Sequence, residues 1–179
     1  MANLIIGEQA IPFTLPGVDG RLHSLVDYGD RMAIAVIFLS NSCSYVRAWE
    51  DRLIALQAEY AENGVQFIVI NSNDPEQATG ETLERMQARA AEKGYNFPYL
   101  QDARQEVAAA YGATRTPEVF LFDHLGTLRY HGAIDDNYAD PSAVQEHYLR
   151  DAINAILAGD RVSLEETDPV GCTIVGVQV

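Results

Sequence analysis

The run Ala33-Ile34-Ala35-Val36-Ile37-Phe38-Leu39 constrains the fold of this chain more than any other feature. A continuous, partly β-branched apolar stretch of strand length suits a strand covered on both faces, the environment of an α/β sheet. Ser40-Asn41-Ser42 end it with helix-capping residue types. From about Ser44 to Asn63 the pattern is helical, since Val46, Trp49, Leu53, Leu56 and Tyr60 recur at three- and four-residue spacing before Asn63-Gly64 stops the helix. Val65 to Ile70 reads as the next buried strand. The unit is strand, capped corner, helix, strand.

The rest of the chain extends this unit on both sides. Phe13-Thr14-Leu15 and Arg21 to Leu25, separated by Pro16-Gly17 and Asp19-Gly20, read as an N-terminal hairpin. After the Asn71 to Pro75 loop, a polar helix is expected from about Glu81 to Lys93, closed by Gly94. Tyr99-Leu100 reads as a very short strand and Arg104 to Tyr111 as a short helix ending at Gly112. Glu118 to Asp123 and Thr127 to Gly132 form a second hairpin around His124-Leu125-Gly126. A last helix is expected from about Ser142 to Leu157, stopped by Gly159. The order predicts a single domain over residues 1–179, an α/β fold with a central mixed sheet flanked by helices, and a C-terminal tail from 160 to 179. In that tail Thr173 to Val179 is strand-like in composition.

With 26 acidic against 12 basic side chains, the formal net charge is −14. Phosphate recognition relies on Lys and Arg, so nucleic acid and anionic membrane are not expected partners. The first residues lack the basic segment and long apolar run of a signal peptide. No stretch approaches the roughly 18 apolar residues of a membrane span. A cytoplasmic protein is the expectation.

The two cysteines, Cys43 and Cys172, lie 129 positions apart, so there is no Cys-x-x-Cys motif. In a cytosolic chain they do not make a disulfide scaffold. The histidines, at 23, 124, 131 and 147, show no zinc-ligand spacing, and neither a metal nor a bound cofactor is expected. Asp135 to Asp140 is acidic but lacks the glycine and terminal glutamate of an EF-hand loop, and reads as solvated loop.

Three segments carry a family resemblance. Gly7 to Pro16, followed by Asp19-Gly20 and Ser24-Leu25, resembles the N-terminal hairpin of the peroxiredoxin-like (AhpC/TSA, redoxin) branch of the thioredoxin superfamily. Phe38-Leu39-Ser40-Asn41-Ser42-Cys43 is similar to that superfamily's active-site corner. Thr116-Pro117-Glu118-Val119-Phe120-Leu121-Phe122-Asp123 is similar to its cis-proline loop and following strand. The resemblance, covering roughly residues 5 to 158, implies a thioredoxin-like fold with Cys43 at the start of a helix. There, unpaired backbone N–H groups and the helix dipole favour the thiolate, the form that attacks a disulfide or a peroxide. It also implies that Pro117, with Thr116, packs against Cys43 and shapes a groove for a partner's backbone. Ser40 and Asn41 supply hydrogen-bonding groups at the corner, Arg115 is placed to approach the sulfur, and Trp49 is core or groove wall.

The chain departs from the patterns it resembles at three places. Val46 stands where a thioredoxin carries its second cysteine. In the peroxiredoxin pattern Pro-x-x-x-Thr-x-x-Cys, Ser40 holds the hydroxyl position but Val36 replaces the proline, and Pro117 stands where those enzymes place an arginine. The segment Pro169-Val170-Gly171-Cys172-Thr173-Ile174 resembles the tail of an uncharacterised group of redoxin-like proteins, and reads as a mobile stretch that could deliver Cys172 as a resolving thiol. A Cys43–Cys172 bond and an intermolecular one stand equally open here. The expected function is thiol-disulfide exchange or peroxide reduction through Cys43, with a thiol or disulfide protein or a small peroxide as partner. The alternative is a redox-inactive binding module that uses the cis-proline groove. Oligomeric state is left open.

Overall fold

The computed structural model describes residues 3–177. Its centre is a five-stranded sheet in the order β5-β4-β3-β7-β8, built from β3 (Ala33–Phe38), β4 (Val65–Asn71), β5 (Tyr99–Gln101), β7 (Glu118–Asp123) and β8 (Leu128–Gly132). β3, β4 and β5 run parallel, whereas β7 and β8 are antiparallel, which makes the sheet mixed. A small hairpin of β1 (Thr14–Pro16) and β2 (Leu22–Ser24) precedes it. Two short strands, β6 (Arg115–Thr116) and β9 (Cys172–Thr173), pair outside the main sheet.

Both faces of the sheet are covered, which is why its strands read as unbroken apolar runs rather than alternating ones. On one face Ala33, Ala35 and Ile37 of β3, Phe67 and Val69 of β4, and Val119 and Leu121 of β7 form a single cluster. The apolar stripes of α1 (Ser44–Tyr60) and α4 (Tyr148–Ala158), and Met86 of α2 (Leu83–Lys93), pack onto it. On the other face the alternate residues, Val36 and Phe38, Ile68 and Ile70, Phe120 and Phe122, meet Val107, Ala108 and Tyr111 of α3 (Glu106–Tyr111). Among the described residues no helix is long and apolar enough to cross a membrane.

The last helix and the tail differ from the sequence expectation. The helix expected from Ser142 begins at Tyr148; Pro141–Ala143 is a 3₁₀ turn, and the chain between them is not helical. Polar groups of the preceding loop compete for that backbone. Asp136 donates its amide to the Glu146 carbonyl at 3.2 Å, and its carboxylate accepts from the Gln145 amide at 3.0 Å.

The tail, expected to be mobile, is docked. Glu165 to Thr167 run beside β8, where the His131 amide donates to the Glu165 carbonyl at 2.9 Å and the Thr167 amide returns to His131 at 3.0 Å. Gly132 permits this approach, because a Cβ there would lie 2.1 Å from Thr167 Oγ1. Within the described part of the strand expected over Thr173 to Val179, only Thr173 is in a strand, the two-residue β9 (Cys172–Thr173); Gln178 and Val179 lie outside the described residues.

Candidate active site

Cys43 is the N-cap residue of α1, in extended backbone conformation, and is almost wholly buried. Its placement follows from the sheet. β3 ends at Phe38, the loop of residues 39–42 turns the chain, and α1 then packs its Val46, Trp49 and Leu53 into the core. The first-turn amides of α1, which lack intrahelical partners, therefore follow directly after Cys43, although its sulfur accepts no capping hydrogen bond in the disulfide-bonded state.

The turn is held by a buried carboxylate that sequence reading missed. Glu81 is 3% exposed and accepts five hydrogen bonds from described residues. Its Oε1 takes the Ser40 hydroxyl at 2.5 Å, the Ser42 hydroxyl at 2.6 Å and the Ser42 amide at 3.2 Å. Its Oε2 takes the Asn41 amide at 2.8 Å and Asn71 Nδ2 at 2.7 Å. Hydrogen bonds to an ionised acceptor are about twice as strong as neutral ones, so this carboxylate fixes the loop more firmly than a neutral side chain would. Glu81 was expected as the first residue of a helix. Instead α2 starts at Leu83, Thr82 caps it by accepting from the Arg85 amide, and Glu81 turns inward.

Ser40 and Asn41 both belong to this arrangement. Ser40 Oγ, while donating to Glu81, accepts from the Cys43 amide at 3.3 Å. Asn41 Oδ1 accepts from the Tyr99 hydroxyl at 2.6 Å, and its Nδ2 donates to the Gly80 carbonyl at 3.1 Å. Tyr99 is wholly buried; desolvation, reinforced by the charges around it, holds its hydroxyl protonated with a pKa well above 10. With the residue 40–42 donors committed to Glu81 and, for Asn41 Nδ2, to the Gly80 carbonyl, the first-turn amides of α1 are the groups that would favour a Cys43 thiolate.

Opposite the corner lies the cis Thr116–Pro117 peptide. Cys43 Sγ lies 3.4 Å from the Thr116 carbonyl oxygen. Thr116 is buried, and among the described residues its hydroxyl has no protein partner. The strand leading into the cis bond is held from below by a second missed acid. Glu118 Oε2 accepts the Thr114 and Arg115 amides at 2.8 and 3.0 Å, and its Oε1 pairs with His131 Nε2 at 2.7 Å.

The tail closes over both. Cys172 is joined to Cys43 by a disulfide with Cα atoms 6.1 Å apart. β9 lies antiparallel to β6, so that Cys172 faces Thr116 and Thr173 faces Arg115. Arg115, exposed on its strand, donates from Nη1 to Thr173 Oγ1 at 2.7 Å, which ties it to the tail. Ile174 is buried in the second core cluster, and the Val175 amide and carbonyl bond to Asn73 and Asp74. Trp49 is 1% exposed, packed edge-on to Tyr138 with centroids 6.0 Å apart, and is a core residue. Cys43, Cys172, Thr116 and Pro117 thus meet at one point, Ser40 and Asn41 support it, and Arg115 secures the strap.

His131 couples the upstream tail to the proline strand, since its Nδ1 also pairs with Glu166 at 3.2 Å. Burial alone pulls its pKa down; the hydrogen bond and charge of Glu118, and then those of Glu166, outweigh it and raise the pKa above 6.5. The folded state therefore holds this proton more tightly than the unfolded chain. That contribution is complete below pH 6.5 and is lost as pH rises through the higher folded value. His131→Gln should cost more stability, read as a urea midpoint, at about pH 5.5 than at about pH 9. Equal losses at both would show that the charged imidazole is not the form that matters.

A thiol-disulfide oxidoreductase ResA of Geobacillus thermodenitrificans is 27% identical over 124 residues, 69% of this chain and 67% of that protein. The crystal structure of an uncharacterised conserved protein from Geobacillus kaustophilus superposes with a TM-score of 0.92 at 37% identity, over 98% of this chain and 94% of that one. A putative thiol:disulfide interchange protein DsbE from Chlorobium tepidum, 22% identical, shares the fold with a TM-score of 0.71 over 87% of this chain and 99% of that one. The architecture is thioredoxin-like. Residues 6–131, the greater part of the sequence, match the AhpC/TSA family, and the chain belongs to that family.

Proposed function

We propose that this protein is a two-cysteine thiol-disulfide oxidoreductase. The observation that carries the reading is the Cys43–Cys172 disulfide formed across the cis-proline loop, with Cys43 at a helix N-terminus. In the reduced protein the Cys43 thiolate attacks one sulfur of a partner disulfide. A mixed disulfide forms and the partner's other sulfur leaves as a thiolate. The Cys172 thiol, losing its proton to solvent, then attacks Cys43 Sγ and releases the partner's second thiolate. The partner disulfide has gained two electrons and the Cys43–Cys172 pair has lost them. In the cytoplasmic setting expected for this chain, an external thiol would reopen the bond.

Peroxide is the less favoured oxidant. The positions that would carry the peroxiredoxin proline and arginine hold Val36 and Pro117, and the guanidinium of Arg115 is engaged by Thr173. The pairing of both cysteines likewise weighs against an inert binding module.

Mass spectrometry after mixing reduced protein with a disulfide-bonded protein such as insulin tests the cycle. The wild type should lose two hydrogens, Cys172→Ser should accumulate a mixed disulfide at Cys43, and Cys43→Ser should remain unmodified. Exchange by Cys43→Ser at the wild-type rate would overturn the assignment. A faster wild-type reaction with hydrogen peroxide than with the disulfide would exchange the two readings.

A further inference from the structure

We infer that the groove at the cis-proline loop selects partner segments in which a glycine immediately precedes the reacting cysteine, and that the tail occupies this groove as an internal stand-in for such a segment. The inference rests on the exchange reading and names its substrate class. The partner is an extended Gly-Cys stretch of a protein, its cysteine held in a disulfide.

The groove reads this segment by backbone and by space. Among the described residues β6 pairs with β9 alone, and the Ile174 amide donates to the Thr114 carbonyl at 3.0 Å, so that the docked stretch is bound as an added strand. The register puts the cysteine opposite Thr116 and its sulfur against Cys43. One position earlier stands Gly171. A Cβ there would lie 2.1 Å from the Thr116 carbonyl oxygen, 2.6 Å from its carbon and 3.1 Å from Pro117 N. These are backbone atoms of the cis peptide, anchored by the Glu118 clamp on the Thr114 and Arg115 amides, and none belongs to a flexible side chain that could yield. Gly171 does not occupy a left-handed conformation, in contrast to Gly132 or Gly176, so backbone geometry does not require glycine. Space does.

The positions after the cysteine are read more loosely. Arg115 donates to the hydroxyl of the next residue, Thr173, at the protein surface. The residue after that, Ile174, is 1% exposed and fills an apolar site in the second core cluster. A matching partner therefore carries Gly-Cys, an acceptor or small residue, then an aliphatic one. Because the partner and the tail need the same edge of β6, the tail must leave before a partner docks. Cys172 can attack the mixed disulfide only as the partner strand gives up that edge.

The test uses the reduced full-length Cys172→Ser protein and two peptides, Pro-Val-Gly-Cys-Thr-Ile and Pro-Val-Ala-Cys-Thr-Ile. Each cysteine carries 5-thio-2-nitrobenzoate as a mixed disulfide. Attack by Cys43 forms the protein–peptide disulfide and releases the coloured thiolate. Any residual docking of the tail slows both peptides alike, so their ratio reports the groove. The glycine peptide should react at least about tenfold faster, given the cost of forcing a methyl group into a filled site. A ratio near one, or a faster alanine peptide, would overturn the inference. The small disulfide of 5-thio-2-nitrobenzoate itself, which has no backbone to dock, reports Cys43 reactivity separately. If that also fails to react, the exchange reading has failed and with it the inference. A second variant reads the groove from within: Gly171→Ala in the otherwise native chain should make the Cys43–Cys172 bond at least about tenfold easier to open in a glutathione buffer. An unchanged equilibrium would count against the steric argument.

Discussion

Opening the Cys43–Cys172 bond should lower the stability of the fold by up to about 5 kcal/mol. The bond spans 129 positions, and a loop of that length removes a large share of the unfolded chain's freedom. For a domain of this size each kcal/mol moves Tm by about 2–4 °C, so the melting temperature should fall on reduction by up to about 10–20 °C. Cys43→Ser, Cys172→Ser and the double substitution should each match the reduced wild type, because two residues that act only through a shared bond are not additive. The loss should also be uneven. Reduction leaves β3, β4 and β7 paired as before, whereas β9 keeps only its short ladder to β6, Ile174 and the contacts of Val175. The hydrogen-bonded amides of the docked tail, those of Thr167, Ile174 and Val175, should therefore exchange with solvent earlier than those of the central sheet in the reduced protein, and closer to them in the oxidised one. A Tm change below about 2 °C would mean that the bond does not close this loop in solution.

How much of this was legible in the sequence depended on the range of the interactions involved. The β3–α1–β4 unit was readable because each piece signals locally. Ala33 to Leu39 is unbroken because both faces are covered, and Val46, Trp49 and Leu53 repeat at helical spacing because one stripe packs inward. Cys43 could be placed at the corner for the same reason, between capping residues and that stripe. The pairing of Cys43 with Cys172 had no local signature. It depends on a glycine at 171 meeting a peptide at 116, and on Ile174 finding a site in a core assembled from distant strands. The late start of α4 was hidden because Asp136, outside the helix, takes the Gln145 and Glu146 backbone groups. Glu118 left a faint trace, a lone charge opening the otherwise apolar run to Phe122. Glu81 left none, since an acid just before a capped helix is ordinary in a solvated first turn. Only the fold shows that it points the other way.

The largest effect expected at a single residue outside the cysteines is at Glu81. Glu81→Ala would leave the Ser40 and Ser42 hydroxyls, the Asn41 and Ser42 amides and Asn71 Nδ2 without their shared acceptor. Water entering the space would satisfy some of them; stranding the remainder should cost about 3 kcal/mol. Tm should then fall by about 6–12 °C. Glu81→Gln should cost less, about 1–2 kcal/mol. Its carbonyl oxygen can keep the Asn41 amide and Asn71 on the Oε2 side. Its NH2 group then faces Ser40 and Ser42, whose oxygens can accept from it once their hydroxyls rotate; the two hydroxyl protons and the Ser42 amide give up Oε1, and the amide keeps Ser40 Oγ at 3.3 Å. The two variants also separate structure from charge. Ser40 connects the Glu81 carboxylate to the Cys43 amide, so the glutamine removes a negative charge from the corner while keeping most of its shape. A neighbouring anion disfavours a thiolate. Alkylation rates against pH should therefore give a lower Cys43 pKa in reduced Glu81→Gln than in the reduced wild type. A glutamine variant as unstable as the alanine one would show that the hydroxyls do not rotate. A raised Cys43 pKa would show that Glu81 acts on the sulfur through loop geometry, by aiming the α1 amides, more than through its charge.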